Sequence, residues 1–196
     1  DAETAGPILL NAVKADRNGA SGVYVSNQQA AVPAPVVISN SYGANSFNEN
    51  NYGLEVYSKG SISLTGFTAD YNERYGLYLD SCMWNTTCTA TGSITVKIGS
   101  ASHNGHSGLY LDSGSTILVQ GVTVIYNGDF EESFEYGDGL TGWSVGNITI
   151  SASSFYGNTQ YGIQVYKGTS SLLLSGVSYY GNHTDGNYHL PNILSD

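Results

Sequence analysis

The chain has 196 residues, the size of one domain. Its formal net charge is −10 with only six Lys and Arg, which argues against nucleic acid as a partner, because phosphate binding needs basic groups to displace counterions. It holds no apolar run of about 18 residues or more, so insertion into a membrane as a helix is not expected.

Charged residues make up only 11% of the chain, whereas Gly (25) and Tyr (16) are abundant and no long stretch shows helical spacing of apolar residues. This composition predicts short strands joined by many turns. A search for internal repeats finds a decapeptide that occurs twice, Asn72 to Ser81 and Asn104 to Ser113, with seven of ten positions identical. Around it, an apolar-x-apolar start recurs at Ile8, Val36, Ile62, Ile94, Ile117, Ile148 and Leu172, in steps of 28, 26, 32, 23, 31 and 24 residues. Ten residues after a start stands Asn18, Asn72, Asn104, Asn127, Asn158 or Asn182, and four further on Gly22, Gly76, Gly108, Gly162 or Gly186. The second unit keeps this pattern only with about three extra residues, ending in Asn50-Asn51-Tyr52-Gly53-Leu54.

Each unit reads as three short extended pieces; in the third these are Ile62 to Leu64, Phe67 to Ala69 and Leu77 to Leu79. No piece can bury a face alone, and no tight hairpin turn joins adjacent pieces. A repeat of this length can instead coil, so that each strand pairs with its equivalent in the next coil, about 4.8 Å away. The expected fold is therefore all-β: a single-stranded parallel β-helix solenoid of about seven coils, one domain over 1–196 with loop insertions at 82–92 and 128–141. Stacking would fill the interior with Val23, Leu54, Leu77, Leu109, Trp143 and Ile163, and beside them Val25, Val56, Leu79, Leu111, Val145 and Val165. Leucine-rich and hexapeptide solenoids are set aside, since neither spacing is present. An eighth unit would start near Ile193, and neither end of the chain shows an amphipathic helix as a cap.

The Asn-x-x-x-Gly-Leu-Tyr-Leu marks resemble the right-handed parallel β-helix repeats of the pectate-lyase-like superfamily, over nearly all of residues 8–190. The resemblance implies an internal ladder of amide hydrogen bonds at Asn18, Asn72, Asn104, Asn127, Asn158 and Asn182, where Asn tolerates the left-handed conformation of a sharp turn. Pectate lyases of this group use acidic Ca²⁺ ligands and a catalytic Arg or Lys on the outer face of one sheet; here Arg74 and Lys97 are the nearby basic residues. The Asn-Thr-Asp, Asp-Asp, Gly-His-Gly and Arg-Ile-Lys motifs of polygalacturonases do not occur.

Candidate contact residues lie on the outward side of the third pieces. Tyr24, Tyr78, Tyr110 and Tyr188 share one column, with Glu55, Ser144 and Gln164 between them; Tyr57 and Tyr166 sit two residues on. Such rows stack on sugar rings, pack against a partner, or simply stabilise the sheet. Asp80 and Asp112 occupy equivalent positions about 5 Å apart, a separation compatible with a glycosidase pair or two Ca²⁺ ligands and equally with solvated strand ends. His103 and His106 share a turn beside Asp70 and Glu73, and Asp129, Glu131, Glu132, Glu135 and Asp138 crowd the second insertion; neither spacing is a metal motif. An ice-binding array would need a regular Thr column, and Ser63, Thr95, Leu118, Thr149 and Leu173 do not make one.

Cys82 and Cys88 are spaced for a small disulfide loop, which would place the chain outside the cell or at its surface. Asn85, Asn147 and Asn182 open glycosylation sequons. The expectation is a non-catalytic extracellular structural or adhesive segment without a resident cofactor, with Ca²⁺ at the acids, or a transition metal at the two His and their carboxylates, as the alternatives. Its partners would be the neighbouring coils of a longer chain, or copies of itself stacked end to end into a filament. The alternative is a carbohydrate-active enzyme or carbohydrate-binding module of the pectate-lyase-like group that acts on polysaccharide through Asp80, Asp112 and the flanking loops.

Overall fold

A computed structural model describes residues 1–82, 91–128, 137–166, 171–182 and 193–195. Every described element is a strand, and every named strand pairing is parallel. The seven apolar starts align one above another, Ile8 to Val36 to Ile62 to Ile94 to Ile117 to Ile148 to Leu172. They mark seven coils of a solenoid.

Two sheets form its walls. Eight strands make one: Ala2–Glu3, Val23–Ser26, Leu54–Tyr57, Leu77–Asp80, Leu109–Ser113, Leu140–Ser144, Ile163–Val165 and Ile193–Ser195. The first and second pieces of each unit merge into a ten-stranded sheet. In the third, fourth and fifth coils they are one continuous strand, Ile62–Thr68, Ile94–Ser102 and Ile117–Ile125, so three separate pieces survive only elsewhere. The bend inside these strands falls on a left-handed residue at Gly66, Ile98 or Gly121, four positions after the start. The interior is closed by Phe47, Ala69, Ala101, Val124 and Phe155 facing the two apolar columns of the starts and of the eight-stranded sheet.

A second corner carries the Asn ladder. Asn104 shows its logic: its Oδ1 accepts from the N–H and the Nδ2 of Asn72, at 3.0 and 2.8 Å, while its Nδ2 donates to Asn127 Oδ1 at 2.9 Å and to the Ala69 carbonyl at 3.0 Å. All four hydrogen-bonding sites of a fully buried amide are thus filled. Asn127 and Asn158 repeat the arrangement upward to Asn182, and Asn18 binds Asn50, which binds Asn72. Asn50 is therefore the rung of the irregular second unit. The left-handed conformation belongs not to the ladder Asn but to the residue before it: Arg17, Glu49, Tyr71, His103, Tyr126, Gly157 and Gly181. The Gly column follows from close approach, since a Cβ on Gly76 would stand 2.7 Å from the Gly108 carbonyl oxygen and 2.9 Å from Asn104 Nδ2.

The third corner, after the eight-stranded sheet, is held by a buried column that lies outside the Asn and Gly repeat marks: Asn27, Ser58, Ser81, Ser113 and Ser144. Ser58, Ser113 and Ser144 each accept the N–H two residues on, and Ser81 and Ser113 both donate to the Gly92 carbonyl. These bonds replace the backbone partners that a turning chain loses.

Four expectations are overturned by the strand register. Leu109 pairs with Leu140 and Leu111 with Gly142, so Leu140 and Gly142 take the interior places expected for Trp143 and Val145. Those two residues point outward, 38% and 53% exposed. The coil accordingly resumes near Gly137 rather than after 141, because Gly139 rather than a later residue feeds its carbonyl to Leu109. Thr141, not Ser144, stands in the outward Tyr column. Ile193 pairs with Ile163 and so closes the seventh coil in the eight-stranded sheet instead of opening an eighth unit.

Replacing Asn127 by Ala is expected to cost ~3 kcal/mol or more, because two buried donors of Asn104 lose their acceptor and each orphaned group costs ~1–3 kcal/mol; a denaturant titration reads this directly. The opposite sign is expected for Ile98→Gly. Ile98 is β-branched, 62% exposed and left-handed at φ 52°, so relief of backbone strain of ~1–2 kcal/mol outweighs the added chain entropy of Gly, ~0.5–1 kcal/mol.

Candidate functional site

The outer face of the eight-stranded sheet gathers the side chains that the solenoid itself does not need. Period-two alternation points Tyr24, Glu55, Tyr78, Tyr110, Thr141 and Gln164 outward in one column. Two residues on, Ser26, Tyr57, Asp80, Asp112 and Trp143 form the next column, continued by Tyr166. Tyr78 and Tyr110 stack at 4.6 Å with an interplanar angle of 6°; Trp143 and Tyr166 stack at 4.1 Å and 9°. Tyr57 leans on Tyr24 and Tyr78 at 5.7 and 5.6 Å. Tyr188 lies outside the described residues.

Turn residues extend this aromatic surface toward the ladder corner. Tyr75 contacts Tyr78, Tyr110 and His106 at 5.6, 5.5 and 5.1 Å, and Tyr52 lies 5.9 Å from Tyr75. Arg74 Nη1 donates to the Tyr52 hydroxyl at 2.8 Å, its guanidinium 5.5 Å from the ring centre. Tyr52 and Tyr75 were not legible as site residues, because Tyr75 is matched by Ser107 in the twin decapeptide. Lys97 pairs with Thr65 and Gln120 in the ten-stranded sheet and belongs to another face.

The register sets Asp80 directly beside Asp112 on adjacent parallel strands. Asp80 is only 1% exposed, so the solvated strand end weighed from the sequence is not what forms. Its Oδ1 accepts the Cys82 N–H at 2.7 Å, a local turn that fixes the carboxylate. Burial, and then the neighbouring Asp80, push the Asp112 carboxyl up to about 6. Burial also raises Asp138 to about 6, against hydrogen bonds from Thr141 Oγ1 at 2.8 Å and the Tyr161 N–H at 3.0 Å. Burial raises the Tyr57 and Tyr78 phenols, with Glu55 and Tyr110 respectively adding to it. His106 is lowered by burial and by Arg74.

The other sequence candidates disperse. Tyr71 stacks on His103 at 4.8 Å and His103 leans on Tyr126 at 5.3 Å, while Asp70 accepts from Ser100 Oγ and the Ser102 N–H. Thus His103 joins an aromatic row at the ladder corner, and His106 faces Tyr75 instead. Among the described residues no three His, Cys, Asp or Glu converge as a metal site. Asp129, Glu131, Glu132, Glu135, Cys88 and Asn85 lie outside the described residues, so the proposed Cys82–Cys88 loop and the acidic insertion stay expectations. Asn147 is exposed, as a glycan acceptor must be. Asn182 is instead committed to the ladder, its Oδ1 held by Asn158 and its Nδ2 by the Phe155 carbonyl. A glycan there would break the rung.

The family model for the right-handed β-helix region matches residues 4–189. The chain belongs to that family. Neither the curated proteins nor the solved structures contain a match to it. Within a right-handed β-helix the parallel walls are shared by all members, so the individuality of this one lies in the outward columns just described.

Asp112 supplies a pH test of the site. Its folded value of about 6 lies above the ~3.9 of an unfolded Asp, so its stabilising contribution is complete below pH ~4 and is lost as pH rises through about 6. Asp112→Asn should therefore melt higher than the parent at pH 7.5, with the difference closing as pH approaches 4. Parallel melting curves at all pH values would contradict this assignment.

Proposed function

We propose that this right-handed β-helix is a non-catalytic, extracellular structural or adhesive segment that holds a polysaccharide along the outer face of its eight-stranded sheet. It works either as part of a longer surface protein or as a subunit stacked with others. The observation that carries the reading is the column Tyr57, Asp80, Asp112, Trp143, Tyr166, in which the half-buried Asp112 carboxyl, with Asp80 buried beside it, lies in a row flanked by rings at both ends. An aromatic ring offers an apolar body to the apolar face of a sugar, and carboxylates fix its polar edge. Successive coils repeat these groups at the strand spacing of about 4.8 Å, which suits an extended polymer better than a compact ligand.

Affinity electrophoresis through gels containing polysaccharides tests this reading. Retardation by at least one of them is expected, and Trp143→Ala should weaken it about tenfold, since a ring contact is worth ~0.5–1.5 kcal/mol and the exposed ring can be removed without opening the core. Unretarded migration in every gel would overturn the proposal.

One observation favours a second reading, a carbohydrate-active enzyme. A carboxyl held up to about 6 beside a second carboxylate is the arrangement of an acid and its partner in glycoside hydrolysis. Release of reducing sugars or unsaturated uronides, abolished by Asp112→Asn or Asp80→Asn, would establish that reading and remove the word non-catalytic.

A further inference from the structure

Three rungs of the Asn ladder, Asn18, Asn104 and Asn127, are each followed by Gly. In an Asn-Gly pair the backbone nitrogen of the second residue can attack the side-chain carbonyl carbon of the first, and Gly opposes that approach least because it has no Cβ. The fold blocks the attack at two of the three. Asn104 is fully buried, all four sites of its amide are filled, and the Gly105 N–H is committed to the Asn72 carbonyl at 2.9 Å. Asn127 is held in the same way, and the Gly128 N–H donates to the Asn104 carbonyl at 2.7 Å. At Asn18 both locks are open. Asn18 and Gly19 are exposed, a Cβ on Gly19 would meet nothing within 4 Å, and among the described residues the Gly19 N–H has no acceptor. The Asn18 amide is tied only to Asn50 Oδ1, through its Nδ2 at 3.0 Å.

We propose that Asn18 is a site of spontaneous covalent modification in the folded chain, deamidation through a cyclic imide, and that it releases the first rung of the ladder. The Gly19 nitrogen gives up its proton to solvent and bonds to Cγ of Asn18. The Cγ–Nδ2 bond breaks, and Nδ2 takes a proton from water and leaves as ammonia. Water then opens the five-membered imide at either carbonyl, which yields Asp or, where the chain now runs through the former side chain, isoaspartate. Water is the one co-reactant, and nothing is oxidised or reduced. The product has a carboxylate oxygen where Nδ2 stood, so it faces Asn50 Oδ1 with no donor to offer. The isoaspartate form also lengthens the backbone by one carbon and so draws the Asn18 N–H away from Asn50 Oδ1, which it now meets at 2.8 Å. The reaction stops there. Asn50 and Asn72 are followed by Asn51 and Glu73, whose side chains hinder ring closure and whose N–H groups are committed to the Ala20 and Asn50 carbonyls.

Prolonged incubation of the folded chain at mildly alkaline pH, followed by peptide mapping with mass spectrometry and an isoaspartate assay, tests the inference. The expected result is a gain of about one dalton and the appearance of isoaspartate in the peptide that holds Asn18, while the peptides of Asn104 and Asn127 stay unchanged over the same time. The same incubation in concentrated urea should bring all three pairs to similar rates, because the protection at Asn104 and Asn127 comes from the fold. Gly19→Ala should slow the reaction at Asn18 at least about tenfold, since the added Cβ hinders the attacking nitrogen and otherwise meets open space. A freshly prepared Asn18→Asp chain should unfold at a lower urea concentration than the parent, in the same direction as the aged protein. An intact Asn18 in the folded chain, under conditions where the unfolded chain reacts, overturns the proposal. So do equal rates at the three pairs in the folded chain, or an unchanged rate in Gly19→Ala. An unchanged urea midpoint in Asn18→Asp overturns the loss of the rung. No polysaccharide takes part, so neither outcome bears on the glycan reading.

Discussion

The constraint on which everything else depends is that no coil can satisfy its own backbone. Each described strand is two to nine residues in the walls, with no partner inside its own turn, so its N–H and C=O groups must bond to the coils above and below. Once two coils pair, their register is common to both walls, and every equivalent position stacks at the strand spacing of about 4.8 Å. The Asn ladder is the side-chain version of the same rule. A buried amide has four hydrogen-bonding sites, and only a neighbour one coil away can supply Asn104 with partners for all of them. The Ser column does this at the opposite corner with smaller groups.

The corners carry the conformational cost of turning so sharply. Among the described residues eight that are not Gly adopt left-handed backbone, each at ~1–2 kcal/mol. Part of that cost is offset locally: Arg17 pairs with Glu49 one coil above at 3.0 Å, and Tyr71 stacks on His103 at 4.8 Å. These contacts again join equivalent positions in adjacent coils. Stability and surface pattern therefore arise from one geometry, and the outward columns are a by-product of the register that folds. The same register makes Asp80 and Asp112 neighbours, and burial together with Asp80 raises the Asp112 carboxyl.

Much of the fold was legible because solenoid repeats stack identical local devices. All seven apolar starts, and the Asn ladder apart from the Asn50 rung, stood in plain order in the chain. Errors arose where an insertion displaced the frame. After Tyr126 the acidic insertion hides three residues of offset, so counting from Asn127 put Trp143 and Val145 inside, whereas Gly137-Asp138-Gly139-Leu140 restores the turn and presents them outward. The Ser column escaped notice because a Ser that accepts a hydrogen bond two residues on looks, in sequence, like any polar loop. Its Ser-x-Gly spacing at Ser58 and Ser144 was the available signal.

By itself the sequence determined the parallel solenoid, its period and the twin decapeptide, since period-two alternation and a repeated Asn and Gly are properties of a linear chain. Only the tertiary structure decided which side chains meet. Coils of 23 to 32 residues place Asp80 next to Asp112 and Trp143 beyond them solely through cross-coil register, and no local pattern encodes which insertion residues drop out of that register. Burial of Asp80 and the raised Asp112 carboxyl follow from the same stacking, because a charge feels its neighbours in space and not along the chain.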